Sequence, residues 1–168
     1  MACNAITLSG VAIDCGNVGG LKKVYIAPIA DVTGVTETSG GTLTVTMASG
    51  KTFSEYSFRK GNANFVSEGS ADDAAGTYFV TTTLTCQFNK METAKRTEML
   101  NLIKGQCYVI AQDNNGLYWF IGKDSYISSN VAAASGAQRA DSNNYTLTAV
   151  AETNELPIEL SSTSGLFV

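Results

Sequence analysis

The sequence predicts a mainly β protein, an antiparallel β-sandwich or barrel-like domain with one flanking α-helix. Residues 78–88 (YFVTTTLTCQF) alternate between apolar and polar side chains with the two-residue period of a strand that has one face in the core. Residues 106–122 (QCYVIAQDNNGLYWFIG) place two apolar runs on either side of an Asn-Gly step, which is typical of a tight hairpin. Helical spacing is found in one stretch, residues 89–105.

The composition favours one domain, spanning residues 1–168, that assembles with other chains. Charged residues make up 15% of the sequence, whereas soluble domains average about 25%, so we expect other chains to cover much of the surface. The net charge is −4 and the cations are scattered, which disfavours a grip on a phosphate backbone. The sequence contains no histidine, the usual general base near neutral pH, and we expect no enzymatic activity.

The four cysteines indicate no metal or redox motif, because none of them forms a CxxC pair. Cys86 and Cys107 fall within apolar strand patterns and are predicted to be buried free thiols. Cys3 and Cys15 could pair in an oxidising compartment, although nothing requires it. With no leader pattern and no apolar run near the roughly 18 residues of a membrane span, we expect a protein folded in the cytoplasm without membrane insertion.

The first third of the chain reads as an arm, a strand and a loop. Residues 1–20 combine apolar residues with the turn-rich CGNVGG and are predicted to form an extended N-terminal arm. Residues 24–29 (VYIAPI) are predicted to form a strand that Pro28 ends or places at a sheet edge. Residues 31–41 are predicted to be a loop.

Two hairpins are predicted next. The first joins the threonine-rich residues 42–47 to residues 52–59 through a turn at Ser49 and Gly50. The second joins residues 63–68 to the alternating strand 78–88 through an acidic loop.

The predicted helix covers about residues 90–104. Asn89 can cap its first turn, with Glu92 three residues on, and Gly105 is placed to end it. A narrow apolar stripe suited to packing on a sheet is formed by Met91, Met99, Leu102 and Ile103.

The hairpin at residues 106–122 is apolar on both faces, which predicts a central position in a sandwich or contact with a neighbouring subunit. Its aromatic cluster could stack on sugars or bases, but the strand alternation favours the core or a subunit interface. The cluster comprises Tyr108, Tyr118, Trp119 and Phe120. Residues 124–144 are predicted to be a long loop, residues 145–152 the last strand, and residues 153–168 a C-terminal arm.

The sequence offers no residue pattern typical of a metal site or a catalytic site. Asp72 and Asp73, with Glu68 upstream, lack the spaced oxygen ligands of a calcium loop and are better read as a solvated loop. The hydroxyls of residues 125–129 have no adjacent base to activate them. We therefore expect no catalytic residue, metal or cofactor.

Taken together, these segments resemble the tail tube, or major tail, proteins of bacteriophages over most of residues 50–153. The matching parts are FSEYSFRKGNANF, then GTYFVTTTLTCQF running into NKMETAKRTEML, VIAQDNNGLYWFIG, and ASGAQRADSNNYTLTAVAE. The family's closing pattern of an Asp or Asn, a Tyr-Thr-Leu strand and a Glu corresponds to Asp141, Asn144, Tyr145, Thr146, Leu147 and Glu152.

The resemblance implies a structural virion protein of the phage tail, with a sandwich or barrel-like fold and one helix. Such subunits self-assemble into hexameric rings that stack into a hollow tube, through which DNA passes during ejection without specific binding. Tape-measure, terminator and baseplate or tail-tip proteins are the implied partners, and assembly would occur in the host cytoplasm.

The polar face of residues 78–88 fits a lumen, because neutral hydroxyls would not hold passing phosphates as cations would. The residues expected to face the lumen are Thr81, Thr83, Thr85, Gln87, Thr146 and Thr148. For contacts between rings, the candidates are the N-terminal arm and the loop from Glu68 to Gly76, above all Glu68, Asp72 and Asp73. Two alternatives stay open, namely the tube of a phage-derived contractile secretion system and a β-sandwich glycan-binding or baseplate module.

Overall fold

The computed structural model describes residues 8–13 and 15–167, which contain eleven strands and one α-helix. Helix α1 is Thr93–Lys104. The strands are β1 Leu21–Pro28, β2 Val32–Glu37, β3 Leu43–Met47, β4 Ser54–Tyr56, β5 Ala63–Asp72, β6 Thr77–Asn89, β7 Cys107–Asp113, β8 Tyr118–Ile121, β9 Ser128–Ala134, β10 Asn144–Thr153 and β11 Ile158–Glu159.

Two antiparallel sheets form a sandwich. The five-stranded sheet has the order β11-β8-β7-β1-β4, and the four-stranded sheet has the order β5-β6-β10-β9. Their facing side chains build the first core, in which Val24 and Val109 of one sheet join Leu84 and Leu147 of the other. These four side chains are almost completely buried. The predicted mainly β, sandwich-like fold with a single helix is confirmed.

The five-stranded sheet carries a second core on its opposite face. Tyr25, Ile110 and Phe120 point to this side, where the β2–β3 ribbon covers them with Leu43 and Val45. The hairpin at residues 106–122 is apolar on both faces because its sheet is packed on both sides, with one core on each. The hairpin itself is confirmed as β7 and β8.

The C-terminal segment completes the second core and does not extend away as an arm. Strand β11 pairs with β8, and Leu166 is buried. The aromatic ring of Phe167 stacks on that of Tyr25 with their centroids 3.9 Å apart. The apolar residues of this segment remove more apolar surface from water here than they would in an arm.

Helix α1 begins later than Asn89. The N–H groups of Lys90 and Met91 donate to the backbone and side-chain oxygens of Asn143, at 2.7 and 2.8 Å. Lys90 also has a positive φ of 66°, so the chain turns before the helix starts at Thr93 and Asn89 does not cap it. The predicted end at Gly105 is confirmed.

The predicted helix stripe is only partly right. Met99 and Leu102 are buried in the first core, with Met91 packed at its border. Ile103, however, is 45% exposed.

Strand pairing in residues 31–59 differs from the prediction. Residues 42–47 do form a strand, β3, but it pairs with β2, which lies inside the predicted loop 31–41. The predicted strand 52–59 is shorter in the structure, where only β4 is formed, and β4 pairs with β1. The alternation of β3 indicates a strand but not its partner, because partner choice depends on non-local packing.

Strand β9 is a second correction, because it lies in the predicted loop 124–144. It pairs with β10 along its length. Its small side chains give a weak alternation in which only Val131 packs against the core.

The hairpin of β5 and β6 and the last strand, β10, agree with the prediction, although β5 continues to Asp72. Strand β1 ends at Pro28, as predicted. The described residues of the N-terminal arm, 8–13 and 15–20, form no strand or helix and are exposed. Cys3 lies outside the described residues.

Candidate functional surface

The outward face of the four-stranded sheet, called here the threonine face, is built around β6. Leu84, Cys86 and Phe88 lie in the first core, and Val80, on the same side of the strand, is also buried. The side chains between them are partly exposed on the opposite side, namely those of Thr81, Thr83, Thr85 and Gln87. Tyr78 is an exception to the predicted apolar row, because it is 66% exposed near the end of the hairpin.

Strand β10 extends the face on one side of β6. Antiparallel pairing sets Thr146 opposite Gln87 and Thr148 opposite Thr85. Directly opposed residues of antiparallel strands share a face. Leu147, between these threonines, and Ala149, which follows Thr148, are buried. The register thus brings the predicted threonines of two strands into one surface.

Strands β5 and β9 complete the threonine face. Asn64, Val66 and Glu68 of β5 lie opposite the β6 threonines. Ser128, Asn130 and Ala132 of β9 lie opposite outward residues of β10. The β5 residues could have been recognised from the alternation in ANFVSE. The β9 residues were missed because small side chains alternating with one another give almost no periodic signal.

The threonine face contains no lysine or arginine among the outward residues of its four described strands. Its charges are carboxylates at one end. Asp72 lies on this side of β5, and Glu68 and Glu152 lie on either side of Thr81. Two strand spacings separate them, about 10 Å. The rest of the face offers hydroxyl, amide and small apolar groups, which bind water and give phosphate no counter-charge.

One threonine of β6 points inward. Thr82 is 1% exposed, and its hydroxyl shares a 2.8 Å hydrogen bond with Ser67 on β5. The bond satisfies a polar group that would otherwise be costly inside the sandwich. The exposed threonines therefore follow the strand period.

The acidic loop is shorter than predicted. Glu68 lies within β5, paired with Thr81, so the connection between the strands narrows to residues 73–76. A carboxylate oxygen of Asp72 accepts the N–H groups of Ala74 and Ala75 at 2.9 and 3.0 Å. Asp72 thus shapes the turn, whereas Asp73 is exposed.

The aromatic cluster does not form an exposed platform. Phe120 is 1% exposed and lies 5.3 Å from Tyr108, measured between ring centroids. Tyr118 packs beside Phe167. Trp119 points to the other side of β8, where its ring N–H donates to Asp113 at 3.1 Å. These side chains are engaged within the domain and leave no open set of parallel faces for a sugar.

The described cysteines differ in exposure. Cys86 and Cys107 are buried free thiols, as predicted. Burial raises the pKa of the Cys86 thiol to about 12, and burial together with the charge of Glu98 raises the pKa of Cys107. Cys15 is exposed.

Within residues 8–13 and 15–167, no three side chains of metal-ligating type come together in a cluster. The described part of the chain also has no helix that is both long and apolar enough to cross a bilayer. No family model, curated protein or solved structure matches the chain. The threonine face and the edges of its sheet are therefore the features from which a function can be inferred.

Proposed function

We propose that the protein is a structural, non-catalytic subunit of a bacteriophage tail tube, and that its threonine face lines the lumen. The observation that carries the proposal is the hydroxyl-rich surface without lysine or arginine that continues across the four described strands of this sheet. A surface of this kind suits a conduit, because DNA leaving the virion must slide past the wall without being held.

Electrostatics support the proposal. Each lysine or arginine on a lumen wall would displace counterions from DNA and bind it, with a strength that falls as salt rises. The threonine face presents hydroxyls, together with the carboxylates of Glu68, Asp72 and Glu152, in place of such cations. Like charge repels the phosphates weakly, and hydroxyls keep a layer of water between wall and DNA.

The edges of the four-stranded sheet supply a way to close a ring. Strands β5 and β9 are its two edges, and open edges invite pairing with another chain. Joining β5 of one copy to β9 of the next would form a continuous barrel. A hexameric ring would then have about 24 strands and a diameter of about 48 Å between backbones, for a strand spacing of 4.8 Å and a tilt near 40°.

In this role the subunit would contact further copies of itself and other tail proteins. Rings would stack into the tube in the host cytoplasm and remain in the tail of the virion. Tape-measure, terminator and baseplate or tail-tip proteins would contact the tube at its inside and ends.

Negative-stain microscopy combined with size-exclusion chromatography over a concentration series tests the proposal. We expect rings or tubes of uniform width that increase with concentration. A persistent monomer, even in the presence of tail-tip proteins that could initiate assembly, would contradict it. The glycan-binding alternative is less favoured, because Phe120 lies in the second core and Tyr108 and Tyr118 pack against it.

A further inference from the structure

The N-terminal arm presents apolar side chains to water while its base is fixed. Val11 and Ile13 are 100% and 97% exposed. At the base, Asn114 donates to the Gly19 carbonyl at 2.7 Å, and Asn115 accepts the Val18 N–H at 2.9 Å. Apolar groups on a segment anchored in this way gain free energy when another surface covers them.

A groove of about 740 Å³ opens at the other end of β1, between this strand and α1. Its apolar lining includes Pro28, Ile29, Ala30 and Leu102. Glu98 and Lys104 add one charge of each sign. The groove can therefore take an uncharged apolar segment without leaving a large unpaired charge.

The groove also borders a free strand edge. Ser54 and Tyr56 of β4 line it, and β4 is the edge of the five-stranded sheet. The Tyr56 hydroxyl donates to Glu98, which ties the helix to this strand. An extended peptide laid along β4 would add a strand to the sheet and place alternate side chains in the groove.

The arm and the groove lie at opposite ends of the same strand. The arm joins β1 at Leu21, whereas Pro28 at the far end lines the groove. Eight residues of strand separate them by about 23 Å. Copies arranged head to tail along this direction would bring the arm of one to the groove of the next, a contact that can repeat indefinitely.

A second exposed apolar segment, the end of the β5–β6 hairpin, fits the groove less well. Tyr78 and Phe79 are exposed there, but Asp72 and Asp73 accompany them. These carboxylates would approach Glu98 of the groove. Residues 8–13 of the arm carry no charge, and the single carboxylate of Asp14 follows them in the sequence.

We propose that residues 8–13 of one copy occupy the groove of a second copy, with Val11 and Ile13 on the same side of the extended segment, facing Ile29 and Leu102. The placement of that second copy in the adjacent ring rests on the proposed function. The contact itself rests on the arm, the groove and the open β4 edge.

Disulfide trapping between two different variants tests the contact. In a Cys3→Ser, Cys15→Ser background, a Val11→Cys chain is mixed with an Ala30→Cys chain, oxidised mildly and run on a non-reducing gel. Docking holds the thiols at a millimolar effective concentration, so at ~10 µM protein we expect about 100-fold faster dimer formation than with a control partner. The matched control is Lys22→Cys, which is exposed on β1 at the arm end. Equal rates for the two mixtures would overturn the inference.

A chain that carries both Val11→Cys and Ala30→Cys shows whether the arm docks on a second copy or folds back into the groove of its own chain. A ladder of linked chains is expected, and an internally linked monomer would overturn the assignment to a second copy. The Val11→Asp, Ile13→Asp double variant changes only exposed side chains, so it should fold and form rings that do not lengthen into tubes. Tubes of normal length would again contradict the contact.

These outcomes distinguish the contact from the proposed function. Tubes that form without trapping above control would leave the tube function intact and remove the arm contact. Trapping without rings or tubes would support the contact and remove the tube function.

Discussion

Thr83 occupies the middle of the threonine face, with Val66 and Val150 opposite it on the neighbouring strands. Its side chain is partly exposed, so a longer residue can leave the sheet without entering the core. Substitutions at Thr83 can therefore change the chemistry of the threonine face without lowering the stability of the fold.

If the threonine face lines a tube, as proposed, Thr83→Lys should leave tube assembly largely intact but slow DNA delivery at least about tenfold. Ammonium groups on a lumen wall would bind phosphate, so higher salt should partly restore delivery. Electron microscopy of tubes and a DNA-ejection assay measure the two effects, with Thr83→Ser as the control. Failure of the lysine variant to fold would mean that the threonine row is buried in the subunit.

Gly122 occupies a position where a side chain would strain the backbone and clash with a neighbour. Its φ is +93°, and a Cβ atom would lie 2.6 Å from the Ser125 carbonyl oxygen. Gly76, in the β5–β6 turn, also has a positive φ, of +65°, but nothing lies within 4 Å of its added Cβ.

Gly122→Ala should therefore lower the free energy of unfolding by about 3 kcal/mol, whereas Gly76→Ala should cost about 1 kcal/mol. Urea denaturation of both variants measures the difference. Equal losses would show that the close approach to Ser125 is relieved by a small shift of the backbone.

At the scale of elements, β6 has two faces whose contributions to stability should differ. Leu84 is 1% exposed within the first core, whereas Thr85 lies on the partly exposed face. Leu84→Ala should lower the free energy of unfolding by about 3 kcal/mol through the lost burial and the cavity. Thr85→Ala should cost less than about 1 kcal/mol. A larger loss at Thr85 than at Leu84 would reverse the assignment of the faces.

The C-terminal segment should also contribute to the stability of the domain, through Phe167. The Phe167 aromatic ring stacks on Tyr25 and meets Phe53 edge-on. Phe167→Ala should lower the free energy of unfolding by about 2 to 3 kcal/mol, near the low end for buried aromatics because the ring is only partly buried. Leu156→Ala, at a position that is 59% exposed in the same part of the chain, is the control and should change the free energy of unfolding by less than about 0.5 kcal/mol. If Phe167→Ala leaves the melting temperature unchanged in thermal denaturation, the segment is not part of the stable domain.

Elements with local signals could be predicted from the sequence. The β7–β8 hairpin follows from its Asn115–Gly116 turn, β6 from its alternation, and the end of α1 from Gly105. Pairings set by distant packing could not, as β4 shows by joining β1 rather than β3. The start of α1 was missed because Asn143, more than fifty residues away along the chain, fixes the backbone before it.

The candidate surface was predictable to a similar degree. The β6 and β10 threonines could be identified from alternation within each strand, but their alignment depends on register. The contribution of β9 became visible only once that strand was placed beside β10.

For the whole molecule, the two buried thiols report on global opening. The pKa of Cys86 is raised to about 12 by burial, so near pH 8 its reactive thiolate is scarce as well as inaccessible. With Cys3 replaced by Ser, we predict that Cys15 reacts at once with a thiol reagent and that Cys86 and Cys107 react at least about 1,000-fold more slowly. All three should react rapidly in denaturant. Fast labelling of Cys86 in buffer would show that the sandwich opens locally at β6.

The bridges Leu43 to Leu160 and Phe53 to Phe167 affect the order in which the chain can fold during synthesis. Each joins an early segment to residues translated more than a hundred positions later, so the second core stays open until those residues have emerged from the ribosome. A nascent chain lacking them would leave Tyr25, Leu43 and Phe53 uncovered. A chain truncated before Leu160 should therefore expose apolar surface and aggregate more readily than a chain that includes these residues.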